Sequence, residues 1–418
     1  MSAPCAAHVL VMAPFLHRPG HTATFPFDLA AGFAANGAGV TLACPFAPQV
    51  TSEHSIKPRV IDQELDHTPT WVQFAWRHLR HRPILLCLLW LIHYTRSQTP
   101  DLVYWTDMEP GNQRALWPLS LARLLGLVRC RLAFSEHHRF AWESHRLARL
   151  LRLDRLRLRG IEMFVHSRSL LHWTRQVMAW PAAGRYVPWG VWPDPASAKD
   201  RRAARAALDL AEHARVLLVF GIQSFYRKEI DTLAAALSDL PLTKPLVILF
   251  VGRRACTQPH PFDDPRLVSK PNLSVRRVED FVAADQVKTY FAAADGVWAF
   301  YGVFIGASGV LLQSLGYGRL PIASDAGEIG GLCREHGSGL LAPVKDMEGL
   351  RATLQHFVNM ADAEQQAHEA AARIAAEQLS WREIAGTILN VSSRSPAQQP
   401  TPGQAVPSAV GPSFHTDR

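Results

Sequence analysis

The segment from Ala294 to Leu341, ADGVWAFYGVFIGASGVLLQSLGYGRLPIASDAGEIGGLCREHGSGLL, constrains the fold more than any other. A short apolar run, Gly296–Phe300, reads as a buried strand. A Gly/Ser loop follows, then an apolar helix over Ser308–Gly316 and a second buried strand over Leu320–Ser324. Small residues let the backbone approach a ligand closely. Ser308 can cap the helix, whose first turn offers unbonded N–H groups and partial positive charge. The combination predicts a site for an anionic group such as a phosphate.

The same alternation continues along the chain. Before this segment, strands are predicted at Val9–Ala13, Gly39–Ala43, Leu102–Trp105, Cys130–Ser135 and Ile161–His166. Helices are predicted at Phe27–Asn36, Ala115–Leu125, Arg146–Arg159 and Ser169–Met178. A second series has strands Arg215–Phe220, Leu246–Val251 and Leu273–Val278, with helices Lys228–Leu237 and Asp285–Ala293. Helical patterns near Met347–Val358, Ala363–Gln378 and Trp381–Leu389 close it. Strand–helix alternation implies parallel sheets covered on both faces. At 418 residues the chain exceeds one typical core. The fold class is therefore α/β, with two Rossmann-like domains, 1–190 and 191–391, facing a cleft. The Pro-, Gly- and Trp-rich stretch Pro181–Pro195 joins them. Residues 392–418, rich in Pro, Ser and Gln, are expected to be a disordered tail. Ligands of such sheets bind at the strands' carboxyl ends.

The formal net charge of +8 is uneven. Residues 1–190 carry 21 Lys+Arg and 12 Asp+Glu, or +9; the remaining 23 of 44 cationic and 24 of 36 acidic residues give −1. The basic half suits a surface facing something acidic, such as anionic lipid or a diphosphate-linked acceptor. The six cysteines show no CxxC spacing and read as reduced thiols of a cytosolic protein. The N-terminal apolar run, broken by Pro14, reads as a first strand rather than a signal peptide. The longest apolar run, Ile84–Ile92, is far short of the about 20 residues that span a bilayer.

Further constellations carry chemistry. Gly221 through Arg227-Lys228 follows a strand and places two cations at its carboxyl end, where they can neutralise a diphosphate. The plainer alternative is a solvated helix start with Lys228 and Glu229 exposed. Gln313, in the otherwise apolar helix behind Ser308-Gly309, can bond a ligand hydroxyl or neighbouring backbone. Ser135-Glu136-His137-His138 ends another strand, where His and Glu can orient or deprotonate a hydroxyl. A metal site recruiting Glu143 or His145 has no supporting ligand spacing. Gly20-His21 lies in the loop after the first strand. The run Arg146–Arg159, RLARLLRLDRLRLR, can form a basic amphipathic helix on an anionic membrane, or an ordinary surface helix packed by its leucines. Arg77, Arg80 and Arg82 with the apolar run 84–92 read as a second basic-plus-apolar patch.

In this order the pieces resemble the family 4 glycosyltransferases of the GT-B fold, from Val9 to about Leu389. Phe220-Gly221 through Arg227-Lys228 is similar to the family's diphosphate-gripping turn. Ser308-Gly309-Val310-Leu311-Leu312 through Gly318-Arg319-Leu320-Pro321-Ile322 and Asp325-Ala326-Gly327 is similar to its nucleotide-sugar segment. Gly20-His21 matches the first acceptor loop, and Ser135-Glu136-His137 the loop with the active-site His. The stretch from Arg185 to Val191 looks like the interdomain crossover, and Ser380-Trp381 the start of a final helix that returns to the first domain. Three positions depart from the pattern. Ile305 and Gln313 stand where the family often carries two Glu, and Ile222 stands where an Arg follows the turn's glycine, with Arg227 as a substitute.

The resemblance implies sugar transfer from a nucleotide-sugar, bound as substrate, with retention and with neither metal nor cofactor. It assigns His137 to positioning the transferred sugar and Lys228 to the leaving diphosphate. Gly221, Arg227, Ser308, Gly309 and Gln313 complete the donor side, and Gly20, His21, Glu136 and His138 the acceptor side. The expected acceptor is lipid-linked or a glycan, met in the cytoplasm at the inner membrane face. A rival reading is a catalytically silent partner of a sister enzyme, motivated by Ile305. Nucleic-acid binding has no recognition motif behind it.

Overall fold

The computed structural model describes residues 7–16, 21–48, 55–79, 81–106, 116–136, 158–178, 180, 182–224, 228–255, 257–302, 306 and 308–390. The expected tail and the run 146–157 lie outside them.

Two parallel sheets form the frame. The first holds β1 (His8–Met12), β2 (Gly39–Cys44), β3 (Arg59–Val60), β4 (Leu102–Trp105), β5 (Arg131–Glu136), β6 (Ile161–Val165) and β7 (Arg185–Tyr186), in the order β3-β2-β1-β4-β5-β6-β7. The second holds β8 (Arg215–Phe220), β9 (Leu246–Val251), β10 (Leu273–Val278), β11 (Gly296–Ala299), β12 (Leu320–Ser324) and β13 (Leu340–Ala342), in the order β10-β9-β8-β11-β12-β13. The chain order reverses between β1 and β4, with Val9 opposite Leu102, and between β8 and β11, with Leu217 opposite Gly296. These are the two switch points at which such sheets open a crevice.

Thirteen named helices cover the sheets: α1 (His21–Ala35), α2 (Thr70–Leu79), α3 (Pro83–Ser97), α4 (Leu116–Leu124), α5 (Arg168–Val177), α6 (Ala198–Ala207) and α7 (Ile230–Asp239), followed by α8 (Ala284–Ala293), α9 (Gly309–Gly316), α10 (Gly327–His336), α11 (Met347–Asn359), α12 (Asp362–Gln378) and α13 (Trp381–Asn390). The expected helix at Phe27–Asn36 begins earlier, at His21, and carries Pro26 inside it. The second basic-plus-apolar patch is corrected. Leu86, Cys87, Leu88, Trp90 and Leu91 of α3 are buried in the N-terminal core, so the run 84–92 packs on the sheet instead of facing outward. No helix among the described residues is long and apolar enough to cross a membrane. Cys44, Cys87 and Cys333 are buried free thiols, and burial pushes Cys44 and Cys333 up to about 12.

The C-terminal helix returns to the first lobe. The Trp381 side chain joins the core formed by Phe25, Phe33 and Val187. A Cβ on Gly190 would sit 2.3 Å from the Trp381 ring, so only glycine lets the crossover lie this close. Asn36 Nδ2 donates to the Arg382 carbonyl at 2.7 Å, and Arg131 donates to the Ile388 carbonyl at 2.8 Å. The second lobe is knotted by charge. Asp295, 1% exposed, pairs with Arg201 and Arg205, and Glu369 pairs with Arg319 at 3.1 Å. These contacts fix α6, α12, β11 and the start of β12 on one side of the sheet.

Candidate functional site

The second switch point gathers the chemistry. β8 ends at Phe220, and Gly221 turns the chain with φ +90°, a conformation that favours glycine. The neighbouring turn at Gly252, φ +126°, packs against it; a Cβ there would lie 2.4 Å from the Gly221 carbonyl oxygen. Gln223 is fully buried and its Nε2 donates to the Gly252 carbonyl at 2.9 Å, holding the two turns together.

Lys228 follows that turn. The helix expected to start there begins instead at Ile230, after Glu229 takes φ +49°. Lys228 is therefore no solvated helix residue: it is 7% exposed. Its Nζ donates to the Phe220 carbonyl and lies 5.9 Å from the centre of the Tyr301 ring. Its own carbonyl accepts from Trp298 Nε1 at 2.7 Å, which anchors it to β11. Tyr301 stands two residues past the end of β11, and its hydroxyl accepts from Ser308 Oγ at 3.0 Å. Ser308 in turn accepts from the Leu311 N–H at 3.3 Å and caps α9, as its position predicts.

Lys228, Tyr301 and Ser308 thus form one chain across the crevice, from the end of β8 to the mouth of α9. A buried ammonium at one end and a helix N-terminus at the other present two positive poles to the same space. Among the described residues, a Cβ on Gly309 would meet nothing within 4 Å. Gln313 is half-buried on that helix, and its amide is not hydrogen-bonded to another described side chain. One carboxylate joins the group: a Cβ on Gly302 would fall 2.1 Å from Glu229 Oε1, whose partner oxygen accepts from Thr232 Oγ1 at 2.6 Å. Sequence reasoning missed Tyr301 and Glu229. Their only signal was proximity to a strand end and to a lysine, and the contacts join residues more than 70 positions apart.

The first switch point is built differently. Thr106 Oγ1, just past β4, donates to the Met12 carbonyl at 3.1 Å and closes the end of β1. Beside it, Tyr104 bonds Ser135 Oγ, and Ser135 Oγ lies 3.1 Å from His166 Nε2. His166 Nδ1 faces the Val187 carbonyl at 2.9 Å. A carbonyl only accepts, so Nδ1 carries the proton and Nε2 accepts from Ser135. The imidazole ties the crossover to the strand that leads into residues 137 and 138. Burial, opposed by bonds to the Val187 and Pro188 carbonyls, lowers His166 to about 4. Glu136 is fully buried at the end of β5 and accepts from Thr174 Oγ1 at 3.3 Å.

The His166 value sets an acid-lability expectation. The folded state keeps this imidazole neutral, while the unfolded chain binds a proton below about 6.5. The unfolded state is then favoured as pH falls from about 6.5 to about 4, by on the order of 3 kcal/mol from this residue. His166→Gln keeps hydrogen-bonding capacity without titrating. Its thermal midpoint is expected to fall less between pH 7 and pH 4 than the wild-type midpoint; equal slopes would exclude the assignment.

The lobes meet across the cleft at one buried carboxyl. Glu328, in the first turn of α10, accepts from Tyr186 Oη at 2.6 Å and from the Arg168 backbone N–H at 2.7 Å, at the start of α5. Burial raises its pKa, opposed by those two hydrogen bonds. The Arg168 guanidinium lies over the Tyr186 ring at 4.3 Å and pairs with Glu335 at 2.6 Å.

Gly20, His137, His138, Arg227 and Ile305 lie outside the described residues, and His21 is placed only as the first residue of α1. Among the described residues no group of three or more His, Cys, Asp or Glu is arranged to hold a metal ion.

No protein-family model matches the chain, and no curated protein matches it. Solved structures do. The chain is similar to a glycosyltransferase from Rickettsia africae, with TM-score 0.64 at 11% identity, over 93% of this chain and 98% of that one. It is similar to Alr3699/HepE of Anabaena, solved in complex with UDP, with TM-score 0.63 at 16% identity, over 93% and 99%. It is similar to sucrose-phosphate synthase from Thermosynechococcus elongatus, with TM-score 0.58 at 17% identity, over 92% and 98%. At these identities the likeness establishes the fold: two Rossmann-like α/β lobes of the GT-B type, with the C-terminal helix crossing back to the first.

Proposed function

We propose that the chain is a glycosyltransferase of the family 4 kind, moving a hexose from a nucleotide-sugar to a lipid-linked or polysaccharide acceptor with retention. The observation that carries this reading is the convergence of Lys228, Tyr301 and Ser308 on the β8/β11 switch point. The fold neighbours solved with UDP support a nucleotide donor.

As the glycosidic bond breaks, negative charge accumulates on the leaving diphosphate. The Lys228 ammonium and the first-turn N–H groups of α9 face where that charge develops, and fixed dipoles in a water-poor site lower such barriers strongly. Arg227 adds a second cation to the same turn. Tyr301 keeps both poles in register. Gln313 reaches the ribose hydroxyls, and Glu229, beside Gly302, accepts from a sugar hydroxyl in place of the carboxylate that Ile305 lacks. From the other lobe, His137 positions the transferred sugar, and Gly20, His21, Glu136 and His138 shape the acceptor side. The enzyme works without metal or cofactor, at the inner face of the membrane.

Incubating the purified protein with labelled nucleotide-sugars and membrane extract tests the proposal. Label in lipid or polysaccharide is the expected result. Donor binding without turnover would instead favour the catalytically silent partner that Ile305 motivates.

A further inference from the structure

α10 turns one stripe toward the other lobe. Glu328, Gly331 and Glu335 stand at i, i+3 and i+7, which is a single helical face. Both carboxylates on it reach across the cleft to Arg168 and Tyr186. Gly331 leaves room between them: among the described residues, a Cβ there would meet only Arg168 Nη1, at 3.9 Å.

The two ends of the stripe differ in weight. The Arg168 and Glu335 side chains are 44% and 48% exposed, so water and salt screen that pair. Glu328 is 2% exposed. Among the described residues, each hydrogen bond to its carboxylate comes from the first lobe: Oε1 accepts from Tyr186 Oη and Oε2 from the Arg168 N–H. Its own helix is capped at Ala326 without any side-chain bond. The Arg168 N–H is one of the first-turn donors of α5, so Glu328 completes the cap that Ser167 begins at Leu170. Partial positive charge at the mouths of α5 and α10 converges on one anion. A carboxylate that stays buried without these donors is costly. The contact therefore has two states, bonded with the lobes together or hydrated with the lobes apart.

Its position makes it a lever. Tyr186 pairs with Val165 at the carboxyl ends of β7 and β6, and Arg168 follows β6. α10 follows the carboxyl end of β12. Tyr186 also leads into the crossover, where the Val191 N–H bonds the Leu379 carbonyl and the Val191 carbonyl accepts from Trp381. An angle fixed beside a hinge is magnified at the rim of the cleft.

We propose that Glu328 is a positioning residue, a clasp that sets the closed angle between the lobes and brings the donor crevice onto the acceptor side. Tyr186 and Arg168 form its first-lobe half. The closure stands on these contacts alone; its effect on turnover rests on the transfer reading.

Small-angle X-ray scattering of the full chain, free and with UDP, tests the clasp without any turnover. Glu328→Gln keeps the shape of the side chain and removes its charge. Tyr186→Phe removes one donor and keeps the ring under Arg168. Both are expected to raise the radius of gyration of the free protein above wild type, Tyr186→Phe by less. UDP affinity should hold, because Lys228 and Ser308 lie within one lobe, while kcat falls about tenfold or more through misplacement of the other lobe. A merely structural role would lower the thermal midpoint and move neither the scattering nor the split between kcat and UDP affinity. Should Glu328→Gln fail to fold, Tyr186→Phe decides. Radii of gyration equal to wild type in the folded variants overturn the proposal, whatever their midpoints. Expansion of the variants in a protein that binds UDP and transfers nothing upholds the clasp and overturns the transfer reading.

Discussion

Lys228→Ala is expected to lower donor turnover by roughly 10²- to 10³-fold, the usual cost of removing one preorganised group that faces developing charge. The residue is buried, donates to the Phe220 carbonyl and lies against the Tyr301 ring, so its ammonium is held rather than free to wander. The loss should fall mainly on kcat, because charge on the leaving diphosphate grows toward the transition state. Some stability is lost as well, since the Phe220 carbonyl gives up a partner, at about 1–3 kcal/mol. Steady-state kinetics at saturating donor, with circular dichroism to verify folding, provide the check. A folded variant with unchanged kcat would remove Lys228 from the chemistry.

The second large effect concerns stability. Asp295→Ala is expected to destabilise the C-terminal lobe by about 3–5 kcal/mol, because it leaves buried guanidinium groups uncompensated. Asp295 pairs with Arg201 and Arg205, stands 3.9 Å from Arg215 and accepts from the Val216 N–H at 2.7 Å. Arg205 is 3% exposed, and burial together with Arg201, Arg215 and Arg319 pulls its pKa down to about 10. Removing the one carboxylate at the centre concentrates repulsion in low dielectric. For a lobe of this size the thermal midpoint should drop by about 10 °C. Differential scanning calorimetry reads this directly, and a drop of only a degree or two would mean that the cluster is solvated rather than buried.

Much of the frame was legible in the sequence. Uninterrupted apolar runs such as Leu246–Val251 and Leu320–Ser324 are what a strand buried on both faces requires, and both are strands with the expected bounds. Ser308 before an apolar run gave the start of α9 because capping is local chemistry. Local chemistry also explains the failures. α6 reads AKDRRAARAA, with no apolar stripe; its Ser197–Asp200 capping box starts it, and its buried Arg205 holds it through a contact 90 residues away. The helix expected to begin at Phe27 starts at His21, with Pro26 inside it.

The crevice was half legible. A glycine turn and a lysine after a strand, and a capped helix after another, are visible in isolation. That the two stand on adjacent strands, with Tyr301 between them, depends on the β8–β11 pairing, which no periodicity encodes. Glu229 hides for the same reason: its carboxylate matters through Gly302, 73 residues on.

The central claim is that the crevice between β8 and β11 holds a diphosphate between Lys228 and the mouth of α9. A crystal structure of the full chain grown with UDP tests it most directly. The account predicts diphosphate oxygens within hydrogen-bonding distance of Lys228 Nζ and of the Gly309 or Val310 N–H. A diphosphate bound elsewhere on the lobe, with Lys228 still turned to the Phe220 carbonyl and the first turn of α9 untouched, would contradict it.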